Sequence, residues 1–396
     1  MNSGDAFFSF RFASSGCGNC ADDILTIFPG LATYTSQGLA QAIENALEGQ
    51  LLPDRVIILC GLPDFGRLSD EANNSPDLSA AIRRGRTIKS VVLAAYDMTG
   101  EIAEQIVLRG DSVGKLSATQ IALWGVEALF KKNEAAILVH AQHGFLFSKP
   151  SSKRSNYFIR AEGLLLELAD TSFLAFSLLR FLDDWIKAKG RSPGLVYVDS
   201  MSIATLAMAL IEMRRRLDQH FGYPRIASFH SYEGLSNMAS PPRDSAICII
   251  SASTSCNLAE EWKKKFRTGG EEVVTLLSLV AGDGDNKVIY TIQKPLDYVS
   301  LSDTEDHSGH RLIRVSGEHF WVEAFPSRSV TLTKKNHCPE KLPKDMEVFV
   351  ASGAIDCRRR PTPTGPIRAV HVSGGKLITH AHFLSWLETA IEQQIP

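Results

Sequence analysis

Between residues 135 and 294, short apolar runs alternate with long helical stretches, and that alternation limits the possible folds more than any other feature of the chain. The runs at 135–140, 194–198, 246–250 and 272–280 carry few charges, as strands buried on both faces do. Helical spacing fills 161–187 and 203–216 between them. Strand followed by helix, repeated, predicts an α/β fold: a mainly parallel sheet with helices on both faces. In such sheets ligands sit beyond the carboxyl ends of the strands, so the turns that follow strands are the first place to look for function.

One of those turns is unusually polar. After the apolar run 248–250 come Ser251, Ser253, Thr254, Ser255 and Asn257, and then a helix expected near Glu260. Short hydroxyl side chains beside the unpaired N–H groups of a helix N-terminus form an anion cradle, and the helix dipole favours a phosphate there. The turn contains no carboxylate, so by itself it offers nothing to grip a ribose diol or Mg²⁺. Asp199 and Ser200 fall at the same edge, after the strand at 194–198, and two polar turns on neighbouring strands would line one site. The plainer reading of both turns is that Asp199 and the 251–257 hydroxyls cap the helices that follow them.

Texture divides the chain into three stretches. Residues 1–134 read as an α/β region, with helical spacing at 38–43, buried strands at 55–60 and 90–95, a polar loop at 69–76, and a helix at 117–132 capped by Ser117. Residues 135–297 hold the alternating pattern. Residues 298–396 shift towards β, with strands at 311–315, 320–324, 329–333 and 348–351, a stiff extended loop at 361–366 and a terminal helix at 382–394.

The resemblance that gives this pattern a function lies in the middle stretch. Gly144-Phe145-Leu146-Phe147-Ser148-Lys149, then Arg154-Ser155-Asn156-Tyr157-Phe158-Ile159-Arg160 and a long helix, is similar to the opening of type I, orotate-type phosphoribosyltransferases. Residues 194–206 stand in the place of that family's pyrophosphate turn, 225–236 in the place of its mobile catalytic hood, and 248–259 in the place of its signature loop for phosphoribosyl pyrophosphate. The likeness covers about 150 of the 396 residues, roughly 138–295. It implies a phosphoribosyltransferase-like domain over 135–297, in which Lys149 reaches pyrophosphate or base, Tyr157 and Phe158 line the base pocket, and Thr254 and Ser255 take the 5′-phosphate.

Two departures from the family shape the functional expectation. Ser251 and Ala252 stand where the family carries adjacent acidic residues, and the hood equivalent, 227–234, has only His230 as a cation. Displacement of pyrophosphate needs cations on the leaving group and a rigidly held sugar as positive charge grows at C1. Loss of both points to a diverged protein that binds a nucleotide or phosphoribosyl ligand as a sensor or as a subunit of a larger assembly, with transferase activity lost and the catalytic residues unassigned. The alternative is an active transferase that draws acidic residues from Asp199, Glu233 or Glu318. Mg²⁺ is expected only in that second case, and no other cofactor is implied.

Other features set bounds. A net charge of −2 argues against nucleic acid as the main partner, and protein partners would meet the N- and C-terminal stretches. No window approaches ~18 consecutive apolar residues, and the N-terminus lacks the basic start of a secretory signal, so the expectation is a cytoplasmic chain without a membrane segment. Seven cysteines, an odd number, do not make a disulfide framework. Cys17 and Cys20 have zinc-like spacing without a second pair, and no metal site is expected. The basic runs 214–216 and 263–265 read as solvated helix faces or dipole partners, whereas Arg358–Arg360 is the likelier contact for a partner.

Overall fold

The computed structural model describes residues 6–14, 22–49, 51–85, 87–149, 153–241, 244–283 and 285–302, and strands within 311–322, 331–332, 355–362 and 365–372. The chain forms two compact units, Met1–Val322 and Glu323–Pro396. One apolar core runs through the stretches 1–134 and 135–297 of the first unit.

The first sheet follows chain order: β1 (Phe7–Ser14), β2 (Asp22–Pro29), β3 (Arg55–Gly61), β4 (Ser90–Tyr96) and β5 (Ile102–Gly110). Its three inner strands are parallel, and β1 and β5 run antiparallel along the edges. Side chains alternate across the sheet. Val56, Ile58 and Cys60 meet α1 (Ser36–Leu47), α2 (Leu62–Asn74) and α3 (Pro76–Arg83). Ile57 and Leu59 face the opposite core, which holds α4 (Ala118–Ile137), α5 (Leu168–Lys189) and α6 (Ala204–Leu217).

A small two-stranded ladder, β6 (Leu138–His140) with β9 (Tyr157–Ile159), flanks β7 (Phe145–Ser148) and β8 (Lys153–Ser155). The second large sheet then forms from β10 (Leu195–Val198), β11 (Arg225–Ser228), β12 (Ala246–Ser253), β13 (Val273–Ser278) and β14 (Lys287–Thr291). All neighbouring pairs in it are parallel, in the order β11-β10-β12-β13-β14. Ile247 and Ile249 join the core shared with α4–α6, while Cys248 and Ile250 turn outward onto α7 (Ser231–Asn237) and α8 (Asn257–Phe266).

The unit is therefore layered helix, sheet, helix, sheet, helix. Helix α5 lies in the middle layer, and its residues from Ala169 to Phe176 are all buried. A helix between two sheets is buried on all sides, and the polar members of this run are paired: Asp170 with Lys132, and the Thr171 and Ser172 hydroxyls with carbonyls one turn back. A mixed sheet in the order β15-β8-β7-β16-β17 completes the unit, using β15 (Ser300–Ser302), β16 (Arg311–Ser316) and β17 (His319–Val322). In the second unit, β18 (Thr331–Leu332), β20 (Gly365–Val372) and β19 (Ile355–Thr362) form an antiparallel sheet in that spatial order.

The α/β class and the parallel central sheet agree with the sequence, but several local expectations need correction. Residues 69–76 are helical rather than a loop, because Ser75 caps α3 and Pro76 opens it, where a missing N–H costs nothing. Helix α4 runs on to Ile137 past a kink at Asn133, which shortens the strand expected at 135–140 to β6. Where an extended loop is expected at 361–366, residues 361–362 and 365–366 are paired strand ends, with Pro361 opposite Pro366, and 363–364 lie outside the described residues. The strand expected at 348–351, the terminal helix at 382–394 and the Cys17/Cys20 pair lie outside the described residues. Among the described residues, no helix is long and apolar enough to cross a membrane.

Candidate functional site

The strand order of the second sheet reverses between β10 and β12: the chain leaves β10 to one side for β11 and returns past it to β12. Helix α6 crosses on the inner face and α7 on the outer face, so the two connections separate at the strands' carboxyl ends. That point is where open α/β sheets receive ligands.

The turns on either side of the reversal are tied together. Ser251 donates its amide to Asp199 Oδ1 at 2.8 Å and its hydroxyl to Oδ2 at 2.7 Å. At the start of α7, Ser231 donates its amide to the Asp199 carbonyl at 2.9 Å. Asp199 is buried, which pushes its carboxyl up to about 6 against the lowering effect of the Ser251 hydrogen bonds. Its side chain thus latches β10 to β12 and engages both donors of Ser251. Ser200 caps the 3₁₀ turn Met201–Ile203 through Ser202 N at 3.2 Å.

Beyond this latch the turn runs into α8. Ser253 is buried, and its hydroxyl accepts the Ser255 amide at 3.3 Å. Thr254 and Ser255 are half-buried, and Asn257 is exposed as the first residue of α8. The helix starts at Asn257 rather than near Glu260. Cys256 occupies the cap position with φ 57° and supplies no side-chain cap. The amides of Asn257, Leu258 and Ala259 consequently have no intrahelical partner.

Backbone strain collects at this edge. Of the five non-glycine residues with positive φ among those described, His230, Ser231 and Cys256 lie within three residues of the end of β11 or β12. Such conformations cost roughly 1–2 kcal/mol each and persist where surrounding structure holds them. Tyr232, next along, feels burial first and then Glu261, Cys256 and Asp199, which together raise its hydroxyl to about 12. Tyr232 and Cys256 are members of this edge that strand-and-turn reasoning does not single out; the polar residues directly after β11 are the available signal.

The remaining candidates lie elsewhere. Tyr157 donates its hydroxyl to Asp297 Oδ1 at 2.9 Å, and Lys149 Nζ lies 5.8 Å from the Tyr298 ring. Phe158, on the opposite face of β9 from Tyr157, packs with Phe147 in a small apolar cluster. Burial, reinforced by Lys153, lowers the Lys149 ammonium to about 8. The segment 225–236, expected from the resemblance to be a hood, lies in β11 and α7 and the residues between them, with Phe229 and Leu235 buried beside Trp262. Glu233 is exposed, and Glu318 lies outside the described residues. No group of three or more His, Cys, Asp or Glu side chains is placed to hold a metal among the described residues.

Arg214 departs furthest from the solvated-face expectation. It is 3% exposed, and its guanidinium pairs with Asp183 at 3.2 Å and donates to the Met98 carbonyl. Lys263 and Lys265 are also engaged, with Glu260 and with the carbonyls of Leu235 and Ser236 respectively. Compared with known protein families and with curated proteins, the chain matches none.

Proposed function

We propose that this chain is a diverged phosphoribosyltransferase-like protein that holds a phosphate-bearing ligand, a nucleotide or phosphoribosyl compound, at the start of α8, and acts as a sensor or as a subunit of a larger assembly without transfer chemistry. The observation that carries this reading is the pairing of an uncapped α8 N-terminus with an Asp199 whose two oxygens are both engaged by Ser251. The amides of α8 supply what an anion needs. A carboxylate committed to Ser251 is poorly placed to grip a ribose diol or Mg²⁺, which favours binding over turnover. The β11–α7 segment supports the same reading, since Phe229 and Leu235 anchor it beside Trp262 and residues 226–237 carry no lysine or arginine to neutralise a leaving group.

Titration with phosphoribosyl pyrophosphate, with and without Mg²⁺, tests the proposal. The expected result is metal-independent binding and no release of pyrophosphate. Metal-dependent binding with pyrophosphate release would identify a working transferase instead, and a plain scaffold would bind under neither condition. Ser255→Asp places a negative charge beside the α8 amides and should weaken binding at least tenfold. A tenfold loss needs only ~1.4 kcal/mol, whereas two like charges ~4 Å apart at an effective dielectric of ~20 repel by about 4 kcal/mol.

A further inference from the structure

A second cluster stands apart from the strand-end crevice, on the segment that follows β14. Asn156 holds this segment in place: its side-chain amide donates to the Asp297 carbonyl at 2.7 Å, and its side-chain oxygen accepts the Val299 amide at 2.7 Å. The Tyr298 amide closes a tight turn onto the Pro295 carbonyl at 3.1 Å. Tyr298 is therefore displayed from a fixed backbone rather than from a free loop, and its ring stays half-buried.

The neighbours of that ring are aromatic and cationic. Tyr157 lies with its ring centroid 6.3 Å away and its plane within 22° of parallel. His140 packs against the far partner, 4.7 Å from the Tyr157 ring. Two ammonium groups approach Tyr298, Lys294 at 4.8 Å and Lys149 at 5.8 Å from its centroid. Against these cations stands Asp297, which accepts the Tyr157 hydroxyl and lies 3.6 Å from His140 Nε2.

Near-parallel rings flanked by lysines have a specific chemical match. A nucleobase stacks on a tyrosine face, and the phosphate attached to it takes up the lysine charge. Lys149 adds a reason for an anion in particular, because it is half-buried and faces the like charge of Lys153, two costs that a bound phosphate would offset. We propose that Tyr157, Tyr298, Lys149 and Lys294 form a nucleotide-binding platform, separate from the α8 turn, that stacks one unpaired base and neutralises its phosphate. The base comes either from a free nucleotide or from an unpaired residue of a single strand, and the two sources share this chemistry.

Equilibrium binding of uridine monophosphate and of a short oligouridylate to the full chain separates the sources, with ribose 5-phosphate as the base-free control. Binding of the monophosphate that Tyr298→Ala weakens, with no tighter binding of the oligomer, identifies a free-nucleotide site on the platform. Binding of the oligomer at least tenfold tighter identifies a single-strand site. In either case Tyr298→Ala should weaken binding roughly tenfold, in line with ~1–3 kcal/mol for one stacked base, and Tyr298→Phe should retain it. Lys294→Gln should weaken binding several-fold and flatten its salt dependence.

An unchanged affinity in Tyr298→Ala overturns the platform, as does a wild-type protein that binds neither the monophosphate nor the oligomer at millimolar concentration. Ribose 5-phosphate is expected to bind independently of Tyr298, at the α8 turn, so failure of one site leaves the other testable. Equal thermal midpoints for Tyr298→Ala and wild type exclude misfolding as the cause of a loss.

Discussion

The two helix-covered sheets of the first unit, β1–β5 and β10–β14, are built alike and finished differently. Each places a parallel core between helical layers, and each exposes strand carboxyl ends from which polar turns depart. In the first sheet those ends are sealed. The Leu31 amide donates to the Ser172 hydroxyl at 3.0 Å, a Cβ on Gly30 would lie 3.2 Å from the Ala169 backbone, and Arg214 reaches across to the Met98 carbonyl. In the second sheet the order reverses, hydroxyl residues line the edge, and three strained residues follow the strands. Sequential strand order leaves no crevice, so polar groups at the first edge serve packing. Reversed order separates the crossing helices at the second edge, which is where the ligand proposed above would sit.

The largest expected effect probes the sealed side. Arg214 has 4% of its side chain exposed, and it joins α6 to Asp183 of α5 and to the turn after β4. Its loss leaves the Asp183 carboxylate buried with only the more exposed Lys187 as a partner, 2.7 Å away. Arg214→Ala should therefore cost about 3–5 kcal/mol in denaturant unfolding, as breaking a buried pair does. A cost below ~1 kcal/mol would show that this edge is not held by charge, and the contrast between the sheets would lose its main support.

Much of this contrast is visible in the sequence on one side only. The runs at 55–60, 90–95, 194–198 and 246–250 announce their strands because parallel strands buried on both faces are apolar throughout. The hydroxyl turn after β12 is equally legible, since Ser, Thr and Asn crowd a strand-to-helix junction. Strands β1 and β11 are harder to see. In β1, Phe8, Phe10 and Phe12 alternate with Ser9 and Arg11, a period-two signal that is readable once sought. β11 has four residues and a polar start, too short for any period to register.

Tertiary partnerships are hidden for a different reason. Arg214 reads as one of three surface arginines, because its partners Asp183 and Met98 are 31 and 116 residues away. The bond between Ser251 and Asp199 likewise joins residues 52 apart, and only the strand order brings them together. Spacing finds what one element does alone. Pairing between elements depends on topology.

The pH dependence of Asp199 sharpens the comparison at the second edge. Its folded pKa of about 6 lies above the ordinary value of 3.8, so the native state binds the proton more tightly than the unfolded chain. Stability from this group is therefore full below pH 3.8 and falls as pH rises to about 6, beyond which the loss is constant. Two pK units correspond to ~3 kcal/mol, an upper figure for this carboxyl. Asp199→Asn keeps an acceptor for the Ser251 amide and offers a donor to its hydroxyl, and should remove the Asp199 share of the slope in denaturant stabilities between pH 4 and 6, leaving the shares of Asp170 and Glu272, whose carboxyls burial also raises. An unchanged slope would mean that Asp199 does not carry it.

The smallest expected effect tests whether strain at the second edge is real. His230 is exposed, holds φ 55° at the cap of α7, and is followed by Ser231 at φ 63°. Glycine takes that conformation without a Cβ clash but loses more chain entropy on folding, and the two terms differ by up to ~1 kcal/mol in its favour. His230→Gly should accordingly raise stability by several tenths of a kcal/mol, read as a thermal midpoint shift of about half a degree upward in a chain of this size. At the first edge Gly61 already stands between β3 and α2 with ordinary φ of −71°, so no comparable gain exists there. A loss in His230→Gly would show that the imidazole is held by a contact worth more than the strain. The residue would then belong with the groups that seal an edge rather than with those that a ligand site keeps under tension.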